Sequence, residues 1–225
     1  MQWNGKRKAL TFSYDDGITQ DIRFAGILNR HGMKATFNIN SAKIGTDATW
    51  QRGGITIGYQ TSEQLVQTCT GHEMAAHTAN HPHLTELDDD AIRAEIEADK
   101  AMLTALCGKP VRGMAYPFGT WDARVVEVLR GCGMEYGRTV ATTGGFSLPE
   151  RPLEWACTCH HNDPALFDLA EAFIALQPDN PACFSIWGHS YEFDVDNNWE
   201  RIETLCQMLA GRNDIFYGTN TEVLL

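Results

Sequence analysis

Residues 8–30, KALTFSYDDGITQDIRFAGILNR, contain the pattern that decides the fold. Residues 8–13 (KALTFS) are a short, largely apolar run that is typical of a buried strand. Residues 21–30 place apolar side chains at helical spacing, and Gly32 follows as a helix stop. The stretch therefore predicts a strand and a helix joined by a short connection.

The same alternation continues along the chain. Further strands are predicted over residues 35–40, 73–76, 111–116, 135–140, 154–158, 183–187 and 215–217. Helices are predicted to begin near residues 62, 122, 163, 199 and 219, and the longest helix is predicted to begin at Thr85 or Asp88. Such alternation indicates a parallel sheet. About seven units in 225 residues favour a closed or nearly closed barrel, with an open doubly wound sheet as the alternative.

Composition and charge limit the classes of function. Hydrophobic residues make up 43% and charged residues 21%, as in ordinary globular proteins. The formal net charge of −11 makes the chain a poor general binder of nucleic acids or anionic membranes. No apolar stretch approaches the roughly 18 residues of a membrane span, and residues 1–10 lack the apolar segment of a signal peptide. Because the odd number of cysteines, seven, also indicates reduced thiols, we predict a cytoplasmic protein without nucleic-acid or membrane partners.

The first predicted strand is followed by two adjacent carboxylates, Asp15 and Asp16. In a barrel of parallel strands, functional groups lie at the carboxyl ends of the strands. Adjacent carboxylates point in different directions, so one can bind a metal ion while the other stays free as a base. The alternative is an ordinary Asp-Gly turn in which one carboxylate caps the following helix.

Two histidines, His77 and His81, follow the predicted strand 73–76 at positions i and i+4. If the turn between them is helical, both imidazoles lie on one face and can converge on one ion. The alternative is two unrelated surface histidines. With Asp16 they form a set of two histidines and one carboxylate with open positions, which is typical of a catalytic rather than a structural metal site.

The predicted strand 111–116 leads into Tyr116, Pro117 and Phe118, followed by Gly119. This sequence is typical of a rigid turn, and the backbone N–H groups of such a turn can face a substrate. An ordinary strand-to-helix turn is the alternative, and the residues alone do not distinguish the two.

His189 follows Trp187 and Gly188 at the end of the predicted strand 183–187. A lone histidine after a strand is more often packed or hydrogen-bonded than catalytic. Its position at the same rim as the predicted metal ligands favours a function. His189 and Asp15 then supply an acid/base pair.

Taken together, these residues resemble the motifs of the polysaccharide deacetylase family, the NodB-homology or carbohydrate esterase family 4 hydrolases. Residues 11–17 (TFSYDDG) resemble the first motif, T-F-D-D-G, with two extra residues, and residues 77–81 match H-[ST]-x-x-H in full. Residues 115–119 (AYPFG) resemble R-x-P-[YF]-G, and residues 186–189 (IWGH) resemble L-x-L-H. Order and spacing agree from about residue 8 to residue 189.

The resemblance implies an α/β fold, an irregular (β/α)7 barrel in a single domain over residues 1–225. It also implies that Asp16, His77 and His81 bind a divalent metal. Zinc is the expected ion, although cobalt, nickel, manganese and iron are also compatible with this ligand set.

The resemblance further implies a reaction. Asp15 is the implied general base for a metal-bound water, and His189 is the implied acid that protonates the leaving amine or alcohol. The metal and the backbone N–H of Phe118 polarise the acyl oxygen. Three further residues are assigned to the substrate region: Tyr116, Pro117 and Trp187. The expected function is a metal-dependent hydrolase that removes acetyl or other acyl groups from an N- or O-acylated carbohydrate.

One departure from the family concerns the base. Ala115 stands where the third motif has an arginine that orients the base aspartate. Arg112 lies three residues earlier, so strand alternation points it to the opposite face. We predict that Arg138, near the end of the next strand, is the substitute cation.

A second departure concerns the acyl pocket. Gly188 stands where the family has a leucine that lines the acetyl pocket. A wider pocket is therefore expected, unless Trp187 or Tyr191 fills the space.

A second cluster follows the predicted strand 154–158. Cys157, Cys159, His160 and His161 lie close together in the sequence, but C-x-C-H-H is not a standard zinc spacing. We expect the two cysteines to lie in the core and one of the two histidines to line the cleft.

Two other functions stay open from the sequence. Relatives of this barrel hydrolyse small cyclic imides or amides, some without a metal. A catalytically degenerate barrel that binds glycans is the other alternative, and the missing arginine at Ala115 is its only support. The sequence does not indicate the oligomeric state.

Overall fold

The computed structural model describes residues 2–225. Its strands are β1 (Lys8–Asp16), β2 (Ala35–Ile39), β3 (Thr49–Arg52), β4 (Ile55–Gly58), β5 (Glu73–Ala76), β6 (Gly113–Ala115), β7 (Tyr136–Thr142), β8 (Trp155–Cys157), β9 (Cys159–His160), β10 (Ala182–Gly188) and β11 (Ile215–Tyr217). Its helices are α1 (Asp21–Arg30), α2 (Ser62–Thr68), α3 (Asp89–Cys107), α4 (Ala123–Gly131), α5 (Leu166–Ala175), α6 (Tyr191–Val195), α7 (Trp199–Leu209) and α8 (Asn220–Leu224).

The main sheet is parallel and curls back on itself. Its strand order is β8-β7-β6-β5-β2-β1-β10-β9, and β11 pairs with the beginning of β1. The two ends of this order, β8 and β9, are separated in sequence only by Thr158. The backbone N–H of Thr158 donates to the carbonyl of Ser185 in β10 (2.9 Å), so the two ends of the sheet meet. This is the irregular barrel predicted from the sequence.

Helices cover the outer face of the sheet, which explains why the central strands are buried along nearly their whole length. Phe24 of α1 packs edge-on against Phe12 of β1 and Phe37 of β2, with ring centroids 6.0 and 6.2 Å apart. Burial of each such ring stabilises the fold by about 1.5–3 kcal/mol. This packing fixes β1 and β2, from which the site residues project.

The helix ends follow their sequence signals with one exception. Asp88 caps α3 by accepting from the backbone N–H of Ala91, and Gly108 ends the helix in the left-handed conformation. The helix predicted to begin at residue 163 begins instead at Leu166. Asp163 closes a turn ahead of it, because its carboxylate accepts from the N–H of Ala165 and its carbonyl accepts from the N–H of Leu166.

The β3–β4 hairpin and the short helix α6 were not predicted. Gly53 and Gly54 form the hairpin turn with φ of +56° and +80°, which glycine adopts readily. Ile57 of the hairpin packs with Ile18 and with Tyr191 of α6 in a small cluster separate from the main core. The hairpin is therefore anchored beside the carboxyl end of β1.

Across residues 2–225, no helix combines the length and apolarity that crossing a bilayer requires.

Candidate active site

A cleft of about 520 Å³ opens at the carboxyl ends of the parallel strands. The sequence-predicted residues that line it are Asp15, Asp16, His77, His81, Tyr116, Phe118, Trp187 and His189. Strand order explains the convergence, because β6, β5, β2, β1 and β10 are consecutive neighbours in the sheet. The other two predicted residues, Pro117 and Arg138, are buried behind the surface of the cleft.

The backbone around the cleft is strained. Four of the seven non-glycine residues with positive φ in the described chain lie here: Asp16 (+85°), Thr78 (+62°), His81 (+64°) and Phe118 (+55°). Each such conformation costs about 1–3 kcal/mol and persists only where surrounding contacts enforce it. Strain of this kind concentrates at functional sites, so the backbone independently marks the same loops as the motifs.

Asp16, His77 and His81, here called the rim triad, bring three potential metal ligands together. Oδ1 of Asp16 lies 3.6 Å from Nε2 of His77 and 3.8 Å from Nε2 of His81. The two Nε2 atoms are 3.1 Å apart. Burial lowers the pKa of His81 to about 4, with a smaller contribution from the neighbouring His77. The ring of His81 is therefore neutral near pH 7.

The tautomer of His77 fits a metal ion. Nδ1 of His77 lies 2.8 Å from the carbonyl oxygen of Ala115, and a carbonyl oxygen can only accept. Nδ1 therefore carries the proton, and Nε2 presents its lone pair towards Asp16 and His81. A histidine that donates its other N–H to a backbone carbonyl is the usual arrangement for a metal ligand.

Two buried polar side chains that were not predicted hold the loop of the rim triad. Asn40 donates to the carbonyls of His77 (2.5 Å) and Thr78 (3.0 Å). Asp99 accepts from the backbone N–H groups of His77 and Ser41, both at 2.8 Å. A signal for Asp99 existed, because this carboxylate occupies a buried position on the apolar face of α3.

Asp15 is held by a buried cation. Arg138 donates to both carboxylate oxygens of Asp15, and Asn38 donates to Oδ1 at 2.8 Å. Burial alone would raise the pKa of Asp15. The positive charge of Arg138, with smaller contributions from His77 and His189, outweighs the effect of burial and lowers the pKa to about 2. Asp15 is therefore ionised throughout the neutral pH range.

Arg138 lies directly across from the position of the family's arginine. It is the register partner of Ala115 on the neighbouring strand, so its guanidinium reaches the base from β7 instead of β6. The guanidinium also lies over the Trp187 ring, 4.7 Å from the centroid. Arg112 is part of an exposed ion pair with Glu135 at 2.6 Å and takes no part in the cleft.

His189 lies between two carboxylates. Its Nε2 is 3.8 Å from Oδ2 of Asp15, and its Nδ1 is 3.6 Å from Oε1 of Glu192. Burial alone would lower the pKa of His189. The carboxylate of Glu192, with smaller contributions from Asp16 and Asp15, raises the pKa to about 9 instead. Glu192 was missed because it lies on α6, one helical turn after His189, and α6 was not predicted.

Glu192 also joins His160 and His161 in a second group, here called the Glu192 triad. Oε2 of Glu192 lies 3.1 Å from Nε2 of His160 and 3.2 Å from Nε2 of His161. The backbone N–H of Asn162 donates to Nδ1 of His160 at 3.1 Å, so the proton of this ring is on Nε2. Nε2 therefore has no lone pair to offer a metal ion.

The structure corrects one expectation about the second cluster and agrees with another. Cys157 and Cys159 are buried in the core, as expected. The expectation that His160 or His161 lines the cleft is wrong. Both rings lie behind the rim, where Glu192 faces them and Nδ1 of His161 lies 2.9 Å from the hydroxyl of Tyr14.

The expectation that Gly188 widens the acyl pocket is also wrong. A Cβ atom at residue 188 would lie 2.0 Å from Nδ1 of His161. The imidazole of His161 therefore occupies the space that a leucine side chain would need. Neither Trp187 nor Tyr191 fills it.

The turn after β6 presents Phe118 to the cleft. The Phe118 side chain is 55% exposed and stacks on His83 with centroids 3.9 Å apart. Tyr116 contributes its ring to the cleft wall, while its hydroxyl points away and donates to the carbonyl of Leu153 at 2.6 Å. These contacts fix the backbone of the turn.

Comparison with known proteins matches this chain to deacetylases that act on polysaccharides. Residues 3–137 match the family model described as polysaccharide deacetylase. A chitin deacetylase from Pestalotiopsis sp is 30% identical over 126 residues, which are 56% of this chain and 38% of that protein. The chain thus spans well under half the length of this curated relative.

Solved structures show the same fold. A family 4 carbohydrate esterase from Streptomyces lividans, in complex with acetate, superposes with a TM-score of 0.59 at 17% identity, over 95% of this chain and 93% of that chain. A family 4 pseudoenzyme from Bacillus anthracis superposes with a TM-score of 0.59 at 19% identity, over 99% of this chain and 66% of that chain. At these identities the likeness concerns the fold alone.

Proposed function

Because the chain belongs to the polysaccharide deacetylase family, we propose that it is a metal-dependent hydrolase that removes acyl groups from an acylated carbohydrate. One observation carries the proposal: the rim triad converges beside Asp15, whose carboxylate is held by the buried Arg138. A degenerate glycan-binding barrel would have no need of a base that is both ionised and held in place.

The proposed metal ligands are Oδ1 of Asp16 and the Nε2 atoms of His77 and His81. A divalent ion held there, most simply zinc, supplies a Lewis acid that lowers the pKa of a water ligand and polarises an acyl carbonyl. Donors of this kind also accept cobalt, nickel, manganese or iron. The chain contributes the ligand geometry by fixing the His77 tautomer through Ala115 and the loop through Asn40 and Asp99.

Asp15 acts as the base in this proposal. It takes the proton from the attacking water, and Arg138 keeps the carboxylate in a fixed position throughout. The buried ion pair leaves Asp15 a weak base, since its pKa is about 2. A base this weak fits a site in which a divalent ion at the rim triad would supply an acidified water.

His189 acts as the acid. A pKa of about 9 keeps it protonated at neutral pH, and Nδ1 faces Glu192, so Nε2 is free to give its proton to the leaving nitrogen or oxygen. The opposed pKa shifts of Asp15 and His189 give the two groups their complementary roles.

The turn of Tyr116, Pro117 and Phe118 supplies the proposed oxyanion donor, the backbone N–H of Phe118. The left-handed conformation of Phe118 sets the direction of that N–H group. Trp187 and the hairpin residue Trp50 line the same cleft and offer aromatic surfaces to sugar rings.

Acetate release tests the proposal. Zinc-loaded protein should deacetylate acetylated chito- or xylo-oligosaccharides, and Asp15→Asn should reduce kcat about a thousandfold or more without loss of bound zinc. Lys109→Gln, at the opposite end of the strands, is the control and should be unchanged. An inactive wild type that holds zinc would refute the proposal, because the complete site would then lack the activity.

A further inference from the structure

Two cations line the cleft without a protein partner. Of the 18 Lys and Arg residues in the chain, only Lys43, Arg52 and Lys109 lack a side-chain hydrogen bond, an ion pair or an aromatic ring within residues 2–225. Lys43 and Arg52 both line the cleft. Lys109 lies after α3, where it lines a separate cavity at the opposite end of the strands.

The two cleft cations come from different elements of the fold, the turn after β2 and strand β3 of the hairpin. Lys43 follows β2 in a single helical turn and is half-buried. Arg52 and Trp50 are alternate residues of β3, so they share one face of the hairpin. Tyr191 of α6 lines the same cleft and packs edge-on against Trp50, with ring centroids 4.8 Å apart.

The other charges of the cleft are already balanced. Asp15 is paired with Arg138, and the carboxylate of Glu192 faces His189. Asp16 is a proposed metal ligand. Lys43 and Arg52 therefore leave an excess of positive charge in the cleft, in a chain whose formal net charge is −11.

We propose that the carbohydrate substrate carries carboxylates, for which Lys43 and Arg52 are the cationic partners, while Trp50 contacts a sugar ring. An ammonium and a guanidinium are donors well suited to carboxylates, and neither Lys43 nor Arg52 has a side-chain partner among the described residues. This inference rests on the proposed function and adds the charge of the substrate to it.

Two matched substrates test the inference. One is a neutral N-acetylated chito-oligosaccharide, and the other is the same oligosaccharide with its C6 hydroxyls oxidised to carboxylates. We expect kcat/KM to be about tenfold higher for the oxidised substrate, and high salt to reduce this preference. Lys43→Gln and Arg52→Gln should each lower the preference about threefold, and the double variant should abolish it. Lys109→Gln removes the same charge elsewhere and should leave it intact.

Equal kcat/KM for the two substrates would overturn the inference while the proposed function stands. A preference that persists in the double variant would overturn it as well. Calorimetric binding of both oligosaccharides to Asp15→Asn protein, with and without the two Gln substitutions, supplies a readout without turnover. If the wild type hydrolyses neither substrate, the proposed function fails, and the binding data still decide whether Lys43 and Arg52 recognise the carboxylate.

Discussion

The rim triad and the Glu192 triad have the same composition, two histidines and one carboxylate, and similar separations between their polar atoms. Their outer hydrogen bonds differ. Nδ1 of His77 donates to the carbonyl of Ala115, whereas Nδ1 of His160 accepts from the backbone N–H of Asn162. The first contact frees the lone pair of Nε2, and the second places a proton there. The backbone group behind each ring thus decides which triad suits a metal ion.

The two triads therefore have different roles in the proposed reaction. The rim triad presents lone pairs to the cleft. The Glu192 triad holds a carboxylate whose pKa is lowered, against the effect of burial, by its contacts with His160 and His189. Glu192 in turn favours the protonated form of His189, the proposed acid. In the proposed reaction, similar residues thus bind the metal in one place and keep His189 protonated in the other.

The largest expected difference between the triads is in activity. Asp16→Ala should lower kcat/KM by about a thousandfold or more, because it removes a proposed metal ligand. His160→Ala should lower it by about tenfold or less, since His160 acts only through Glu192 and His189. Acetate release with excess zinc measures both, and circular dichroism checks the fold. Equal losses would contradict the division of roles.

The second expected effect is on stability, at the ion pair between the triads. Arg138→Ala should lower the free energy of unfolding by about 3–5 kcal/mol, because Asp15 is left buried without its cation. Arg112→Ala breaks an exposed arginine–carboxylate pair and should cost about 0–1 kcal/mol. Urea denaturation measures both. A loss of under 1 kcal/mol for Arg138→Ala would mean that Arg138 is not needed to hold Asp15.

A smaller effect tests the packing of the Glu192 triad. Gly188→Ala should destabilise the protein by about 1–3 kcal/mol, because its Cβ meets the His161 ring. The same substitution together with His161→Ala should cost less than the sum of the single changes. Gly26→Ala, on α1 with open space around it, should be neutral or stabilising by about 0.5–1 kcal/mol. If the losses of stability from the two single changes simply add in the double variant, His161 does not contact residue 188 and this packing is wrong.

The smallest expected effect is a shift in pH dependence. The proposed acid works in its protonated form, so activity should fall as the pH rises through the pKa of His189, about 9. Glu192→Gln removes the negative charge that raises this pKa and should move the alkaline limb to lower pH by about one unit. Glu200→Gln, exposed on α7, should leave the limb in place. Profiles of kcat/KM against pH would contradict the account if both variants matched the wild type.

The sequence predicted the fold because most strands and helices show their periodicity and end signals, such as Asp88 and Gly108 around α3. The hairpin was missed although Gly53-Gly54 is a turn signal, because it interrupts the alternation of strand and helix. Helix α6 has only five residues, too few for a periodic pattern. The cytoplasmic location and the absence of nucleic-acid and membrane partners stay predictions.

Some features of the site could likewise be predicted from the sequence, and others could not. Asp15, Asp16, His77, His81 and His189 lie at or shortly after the carboxyl ends of strands, so motif and strand order indicate that they meet. The contact of Arg138 with Asp15 depends on the register between β6 and β7, which the sequence does not specify. The proton positions in the two triads depend on backbone groups of residues 115 and 162, which no residue-type pattern reveals.

Metal content tests the central claim most directly. The wild type, His81→Ala and His160→Ala, each loaded with zinc and dialysed, should be compared by elemental analysis with their folds checked by circular dichroism. We predict about one zinc per chain in the wild type and in His160→Ala, and none in His81→Ala. Two ions in the wild type with one lost in His160→Ala, or retention of the ion in His81→Ala, would contradict the assignment of metal binding to the rim triad alone.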